Sequence, residues 1–249
     1  MEREGGGEDD IVCLDGSFFI NDDYQLTKFT FGSQVLELFC LHSASTDFDL
    51  TGQLVWPGAM LLNDYLSKNA EILRGCSVIE LGSGVGVTGI LCSRFCHEVV
   101  LTDHNEEILN KNIELHTSSE NRNCTGLVAK KLEWGSSAQI KQILDEHSGG
   151  FELFVSFQQS SIPLLFDTVA QLLHVRRGQC KFILAYVSRA KISLAHGFAF
   201  VEDSVHGEPC LDAMVTNEAI SHGMQISEVV GTRTIVGNLE GVIYEITLQ

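Results

Sequence analysis

Val78-Ile79-Glu80-Leu81-Gly82-Ser83-Gly84-Val85-Gly86-Val87-Thr88-Gly89-Ile90 is the stretch that decides the fold. The residues from Cys76 to Leu81 are mostly apolar and lie between Gly75 and Gly82, the pattern of a parallel strand covered on both faces. Gly82, Gly84 and Gly86 then alternate. Glycine adopts positive φ and has no Cβ, so the backbone can turn tightly and a ligand can come close. The N–H groups that open the next helix face that ligand. A strand, a glycine turn and a helix start follow, an arrangement suited to a nucleotide-like cofactor.

Two registers compete within it. Gly84, Gly86 and Gly89 fit the dinucleotide fingerprint G-x-G-x-x-G, with Asp103 at about the distance of its ribose-binding acid. Alternatively, Glu80 followed by Gly82-Ser83-Gly84-Val85-Gly86 forms an acidic-x-G-x-G-x-G pattern. This second register resembles motif I of the seven-strand methyltransferases that bind S-adenosylmethionine. A carboxylate at Glu80 suits a cofactor carrying an amino group and a sulfonium, and it repels a nearby pyrophosphate. The methyltransferase register is therefore favoured over a nicotinamide-dependent enzyme.

Strands alternate with helices on either side of this stretch. Tyr24 to Phe31 and Gln34 to Cys40 flank a Gly32-Ser33 turn, and Ser17 to Ile20 precedes a turn at Asn21-Asp22-Asp23, so a hairpin or small sheet is expected ahead of the main domain. A polar loop covers 42–53, and a helix over 58–69 follows Trp56-Pro57, proline suiting a first helical turn. Further strands are expected at 98–102, 126–132, 151–157, 180–187, 225–232 and 242–248. Helices are expected at 86–96, 105–115, 136–147, 162–174, 190–199 and 211–222, with a polar loop at 117–124. The pattern predicts an α/β fold with a mostly parallel sheet and helices on both faces, whose ligand binds at the carboxyl ends of the strands. Glu80, Asp103 and Glu133 all fall at such ends.

Composition narrows the partners. The chain has 249 residues, 44% of them apolar, and a formal net charge of -17. Sixteen lysines and arginines against thirty-three acids argue against a nucleic-acid partner, whose affinity rests on basic contacts, and favour a basic, lysine-bearing protein surface. The eight cysteines form no C-x-x-C pair, so no metal site is expected and reduced, buried thiols are. That places the protein in the cytoplasm, with the nucleus as the alternative. Residues 1–10 are acidic and glycine-rich, read as a disordered tail, and no apolar run reaches membrane-spanning length. The expected organisation is a tail at 1–10, a β extension at 11–45 and the main domain at 46–249, acting as a monomer.

Asp103 can accept hydrogen bonds from both hydroxyls of a ribose, a role compatible with capping the helix that follows. Glu133-Trp134 offers an acceptor for an adenine amino group and an aromatic face for the ring. With these residues in hand, the chain resembles the family-16 methyltransferases, seven-strand enzymes that include many protein lysine methyltransferases. The matching stretches are Val55-Trp56-Pro57-Gly58-Ala59, Glu80 to Gly86, Leu101-Thr102-Asp103 with Asn110 and Asn112, Leu132-Glu133-Trp134-Gly135, and Glu240-Gly241-Val242-Ile243-Tyr244. The resemblance implies a seven-strand Rossmann-like methyltransferase sheet with a small N-terminal β extension, S-adenosylmethionine as cofactor, and a lysine side chain of a protein as methyl acceptor. It also implies that Glu80, Gly82 and Gly84 hold the methionine end, that Asp103 takes the ribose, that Trp134 flanks the adenine and that Trp56 helps close the pocket; Ser83, Gly86 and Glu133 are counted in the cofactor site with them.

The chain departs from the family at one place. The family carries an acidic-x-x-Tyr motif after the fourth strand, where this chain reads Ser156-Phe157-Gln158-Gln159-Ser160-Ser161 with no carboxylate. The sequence thus assigns no catalytic residue. The alternative it leaves is a catalytically impaired relative that binds the cofactor or a protein partner without turnover.

Overall fold

The computed structural model describes residues 24–41, 53–117, 126–158, 161–176, 180–195, 198–201, 211–236 and 238–249. The expected tail at 1–10, the strand at 17–20 and most of the loops at 42–53 and 117–124 lie outside these residues. The chain opens with β1 (Gln25–Phe31) and β2 (Gln34–Cys40), an antiparallel hairpin that forms its own two-stranded sheet. Gly32, at φ 58, makes its tight turn.

The main body runs α1 (Pro57–Lys68), β3 (Ser77–Leu81), α2 (Val87–Cys92), β4 (Glu98–Asp103), α3 (Glu107–Thr117), β5 (Gly126–Lys131), α4 (Ser137–Glu146), β6 (Leu153–Gln158), α5 (Ile162–Leu173) and β7 (Lys181–Ala195). It closes with β8 (Phe198–Val201), α6 (Leu211–Ser221), β9 (Met224–Glu228), β10 (Thr234–Val236) and β11 (Leu239–Leu248). The sheet order is β10-β11-β7-β6-β3-β4-β5, with β8 paired to β7 and β9 to β11. The strands β5, β4, β3, β6 and β7 are parallel neighbours, and β11 returns antiparallel beside β7. With β9 on the far side of β11, these make the expected seven-strand sheet, to which β8 and β10 are additions. No described helix is long and apolar enough to cross a membrane.

The order explains where a ligand can enter. The chain leaves β3 for β4 and β5 on one side, then returns to β6 on the other, so the crevice opens at the carboxyl end of β3. Strand residues alternate between two cores. On one face Val78, Val99, Leu101 and Ile183 pack with α1, α2, α3 and the hairpin's Leu36 and Leu38. On the other Ile79, Leu81, Val100 and Phe182 pack with Ile140 of α4, Phe166 of α5 and Val215 of α6.

The expectations differ from the structure toward the C-terminus and after the glycine turn. Instead of a helix at 190–199, β7 continues to Ala195 and pairs antiparallel with β8, from Ile192 opposite Val201 to Ala195 opposite Phe198. Apolar residues at 190, 192 and 194 alternate, and that period of two belongs to a strand. The strand expected at 225–232 stops at Glu228, and the short β10 takes up the chain after the Gly231 turn. The α-helix after the glycine turn ends at Cys92, because Arg94 and Phe95 bond three residues back, to Leu91 and Cys92, in tighter turns.

Gly89 marks a place where helix and sheet come closer than a side chain allows. A Cβ there would stand 2.6 Å from Leu101 Cγ and 2.9 Å from Glu80 Oε2. Gly89→Ala is expected to destabilise the fold by about 1–2 kcal/mol, overpacking outweighing the helix-propensity gain. Gly149→Ala, where an added Cβ meets nothing within 4 Å, is expected to change stability by less than about 0.5 kcal/mol. Urea denaturation of both variants checks the contrast.

Candidate functional site

The glycine turn has left-handed backbone at Gly82 (φ 71), Gly84 (φ 55) and Gly86 (φ 86). Gly86 is the N-cap of α2, and a Cβ there would stand 2.7 Å from Leu101 and 2.9 Å from Leu109 side-chain atoms. A Cβ at Gly82 would stand 2.8 Å from the Trp134 ring, so the indole lies against the turn. Trp134 is itself fixed through its neighbour, since the Gly135 N–H donates to Thr168 Oγ1 at 2.8 Å.

Two carboxylates hold the turn. Asp103, at the end of β4, accepts from the Gly84 N–H through Oδ2 at 2.8 Å. Its Oδ1 accepts from the His104 N–H at 2.8 Å and stands 2.6 Å from His104 Nδ1. The Asn105 N–H also faces Oδ1, at 3.5 Å, so the remaining acceptor capacity lies on Oδ2, which takes only the Gly84 N–H; Asp103 keeps an exposure of 8%. Glu80, inside β3, is fully buried. Its Oε2 accepts from the Gly89 N–H at 2.8 Å, while Oε1 has no partner. Burial pushes this carboxyl up to about 8, against the opposing pull of the Gly89 N–H and the Ser83 and Thr88 hydroxyls.

Serine and threonine complete the frame. The Ser83 N–H donates to Thr102 O at 2.8 Å, and Ser83 Oγ accepts from the Thr102 N–H at 3.0 Å. The Thr102 hydroxyl donates to Glu80 O at 2.7 Å. Thus β4 grips the end of β3 beyond their ladder. Asn112 of α3, fully buried, ties the turn to the hairpin. Its Nδ2 donates to Val85 O at 2.9 Å and Phe39 O at 3.0 Å, and its Oδ1 accepts from the Phe39 N–H at 2.8 Å.

Glu80, Gly82, Ser83, Gly84, Gly86, Asp103 and Trp134 therefore meet at the carboxyl ends of β3 and β4. The other two candidates stand apart. The Glu133 carboxylate is exposed and lies 3.4 Å from Lys131. Trp56, the N-cap of α1, lines a pocket of about 340 Å3 with Phe29, Cys40, Leu41, Val55 and Pro57. Val55 also packs in the cluster of Val85 and Cys40, which puts that pocket next to the turn. Ser156, where the family's acidic motif would begin, is buried, and its hydroxyl donates to Leu81 O at 2.8 Å.

Asn63 and Thr88 are given no role in the sequence reading of the site, and Thr102 and Asn112 figure only as part of a resemblance. Their signal is polarity on an apolar helix or strand face. Asn112 stands among Ile108, Leu109 and Ile113, and Asn63 among Ala59, Leu62 and Leu66.

The chain belongs to the lysine methyltransferase family, whose model matches residues 41–198. It is 26% identical over 190 residues to human methyltransferase-like protein 22, an alignment covering 70% of this chain and 47% of that protein. It is 33% identical over 130 residues to mouse protein N-lysine methyltransferase METTL21A, covering 51% of this chain and 55% of the relative. The chain thus spans about half the length of these curated relatives. Among solved structures, magnesium protoporphyrin IX methyltransferase from Synechocystis PCC 6803 with bound SAH shares the fold at a TM-score of 0.50 and 12% identity, over 83% of this chain and 90% of that one.

Two outcomes follow from the geometry. Asn112→Leu strands the Val85 carbonyl and both Phe39 backbone groups, and is expected to cost about 2–4 kcal/mol in urea denaturation. Glu80 titrates higher in the folded chain than the ordinary carboxylate value near 4.5. Its contribution is therefore fully present below about pH 4.5 and is lost as pH rises through about 8. Between pH 6 and 8 the ligand-free protein is expected to lose up to about 2 kcal/mol from this group. Glu80→Gln is expected to flatten that segment, which denaturation at the two pH values measures.

Proposed function

We propose that this chain binds S-adenosylmethionine at the glycine turn and transfers its methyl group to a lysine side chain of a protein. The observation that carries the reading is a turn flanked by two differently placed carboxylates, one keeping a remnant of exposure and acceptor capacity and one fully buried with a free oxygen. Asp103 suits a ribose hydroxyl, Glu80 Oε1 suits the ammonium of the methionine end, and the Trp134 ring beside Gly82 suits the adenine. Ser83, Gly84 and Gly86 supply the close backbone approach. Trp56 flanks the way in, and Glu133, exposed and 3.4 Å from Lys131, offers an acceptor for the adenine amino group. Family membership and the lysine methyltransferases among the relatives support the same reaction.

When bound, the cofactor supplies a methyl group on a sulfonium that is already activated. The protein must align a neutral amine with it and exclude water. An excess of acidic over basic residues favours a basic, lysine-bearing protein surface as substrate. We assign the chain to the cytoplasm as a monomer, with the hairpin region 11–45 as an extension to a catalytic domain at 46–249 and with neither nucleic acid nor membrane as partner.

One observation favours a second reading, a relative that binds the cofactor without turnover. Ser156 is fully buried, with its hydroxyl bonded to the Leu81 carbonyl, so neither a carboxylate nor an accessible oxygen stands there to take the lysine's proton. The two readings separate in an assay of the full chain with methyl-labelled S-adenosylmethionine and lysine-bearing peptides. Labelled methyl-lysine is expected by mass spectrometry. Its absence alongside intact S-adenosylhomocysteine binding would establish the second reading. Asp103→Ala is expected to weaken S-adenosylhomocysteine binding by at least about 1.5–3 kcal/mol, read by calorimetry, and an unchanged affinity would remove Asp103 from the site.

A further inference from the structure

Beneath the glycine turn, three polar side chains from three elements meet out of contact with water. Asn63 of α1, Thr88 of α2 and Glu80 of β3 are each fully buried. Asn63 Nδ2 donates to Thr88 Oγ1 at 2.9 Å and to Ala59 O at 2.7 Å. Having accepted from Asn63, the Thr88 hydroxyl keeps one proton to donate, and its hydrogen bonding favours the ionised form of Glu80. Glu80 Oε1 and Asn63 Oδ1 are left without partners. A buried amide with an unmet acceptor costs stability, and its neighbours Ala59, Leu62 and Leu66 make an apolar face that a leucine or alanine would continue. Packing alone therefore gives no reason for asparagine at 63 or threonine at 88.

We propose that Asn63 and Thr88 are positioning residues that orient the Glu80 carboxyl and stabilise its charge, so that its free oxygen receives the ammonium group of the cofactor's methionine end. The link runs from the Asn63 amide N–H to the Thr88 hydroxyl and on through α2 to the next residue, Gly89, whose N–H donates to Glu80 Oε2 at 2.8 Å; the Thr88 side chain favours the charged form of the carboxyl. It rests on the cofactor reading given above. It also joins the site to α1, the helix that begins at Trp56 and Pro57.

The surroundings of Glu80 set the sign. From α2 it faces Thr88 and the Gly89 N–H, and from the turn Ser83, all favouring the charged form. Asp103 of β4 opposes it by like charge. In register, β4 and β6 set Leu101 and Val155 beside it, and α1 contributes Asn63 through Thr88. In the ligand-free chain the carboxyl holds its proton up to about pH 8. Receiving an ammonium ion then converts it to the carboxylate and releases one proton to solvent.

The test is calorimetric titration of the full chain between pH 6.5 and 8.5 with two ligands, each in two buffers of different ionisation heat. S-adenosylhomocysteine carries the amino-acid end, and 5′-methylthioadenosine carries only the nucleoside thioether. The expected result is an S-adenosylhomocysteine affinity that rises at least about threefold per pH unit with proton release, and a methylthioadenosine affinity that stays level, since one unit of pKa is worth about tenfold. Thr88→Val is expected to weaken S-adenosylhomocysteine about tenfold at pH 7 and to move the pH dependence upward. Its methylthioadenosine affinity is expected to stay within about twofold, and Thr88→Ser is expected to restore the parent behaviour. Asn63→Ala acts in the same direction and reads the link should Thr88→Val not fold. Equal weakening of both ligands, or an unmoved pH dependence in these variants, would overturn the positioning role while leaving the cofactor reading intact. A folded parent chain that binds neither ligand would overturn both.

Discussion

The hydrogen bond from the Gly84 N–H to the Asp103 carboxylate is the contact on which the rest of the site depends. With glycine at three of its five positions, the turn has few side chains of its own with which to hold a shape. Its conformation must be imposed from the neighbouring strand, and β4 imposes it through Asp103, Thr102 and the Ser83 bonds between them. From below, Glu80 fixes the start of α2 by accepting from Gly89. The same two carboxylates that build the turn also offer it chemistry. Asp103 keeps a remnant of exposure and acceptor capacity on Oδ2, and Glu80 lies fully buried with an oxygen unused.

The hairpin shares in this frame although it forms a separate sheet. Asn112 bonds Phe39 and Val85 at once, so the hairpin's position and the turn's carbonyl are set by one side chain. Lys111, one residue earlier, lies 4.6 Å from the Phe39 ring centre and 5.5 Å from that of Tyr24, a cation–π clasp on the same segment. The His116 ring stands 2.9 Å from the Glu37 carbonyl. Successive residues of α3 thus anchor β2 along its length. The pocket beside Trp56 is walled by the same hairpin, which therefore shapes the approach to the site as well as covering one core face.

The sequence made the turn, Asp103 and Trp134 legible because each obeys a local rule: alternating glycines after an apolar run, an acid at a strand end, an aromatic before a turn. The parallel order of the sheet followed from alternating strands and helices. The exposure of Glu133 and its pairing with Lys131 were not legible, since the direction of a side chain at a strand end depends on the neighbouring elements. Asn63 and Asn112 were hidden for the opposite reason. On a helix a lone polar residue within an apolar stripe reads as a packing defect until its tertiary partners are seen. The sequence suggests a helix where β7 runs on to Ala195, because 15 residues exceed the length of an ordinary strand, although apolar residues alternate at 190, 192 and 194.

The central claim is that the turn from Gly82 to Gly89 is a binding surface for the adenosyl cofactor. Amide hydrogen exchange of the full chain, with and without S-adenosylhomocysteine, tests it most directly. The account predicts slowed exchange at residues 82–89 and 103–105, with β9 at the far side of the sheet unchanged. Exchange that stays the same across the turn while the ligand is present in excess would contradict it.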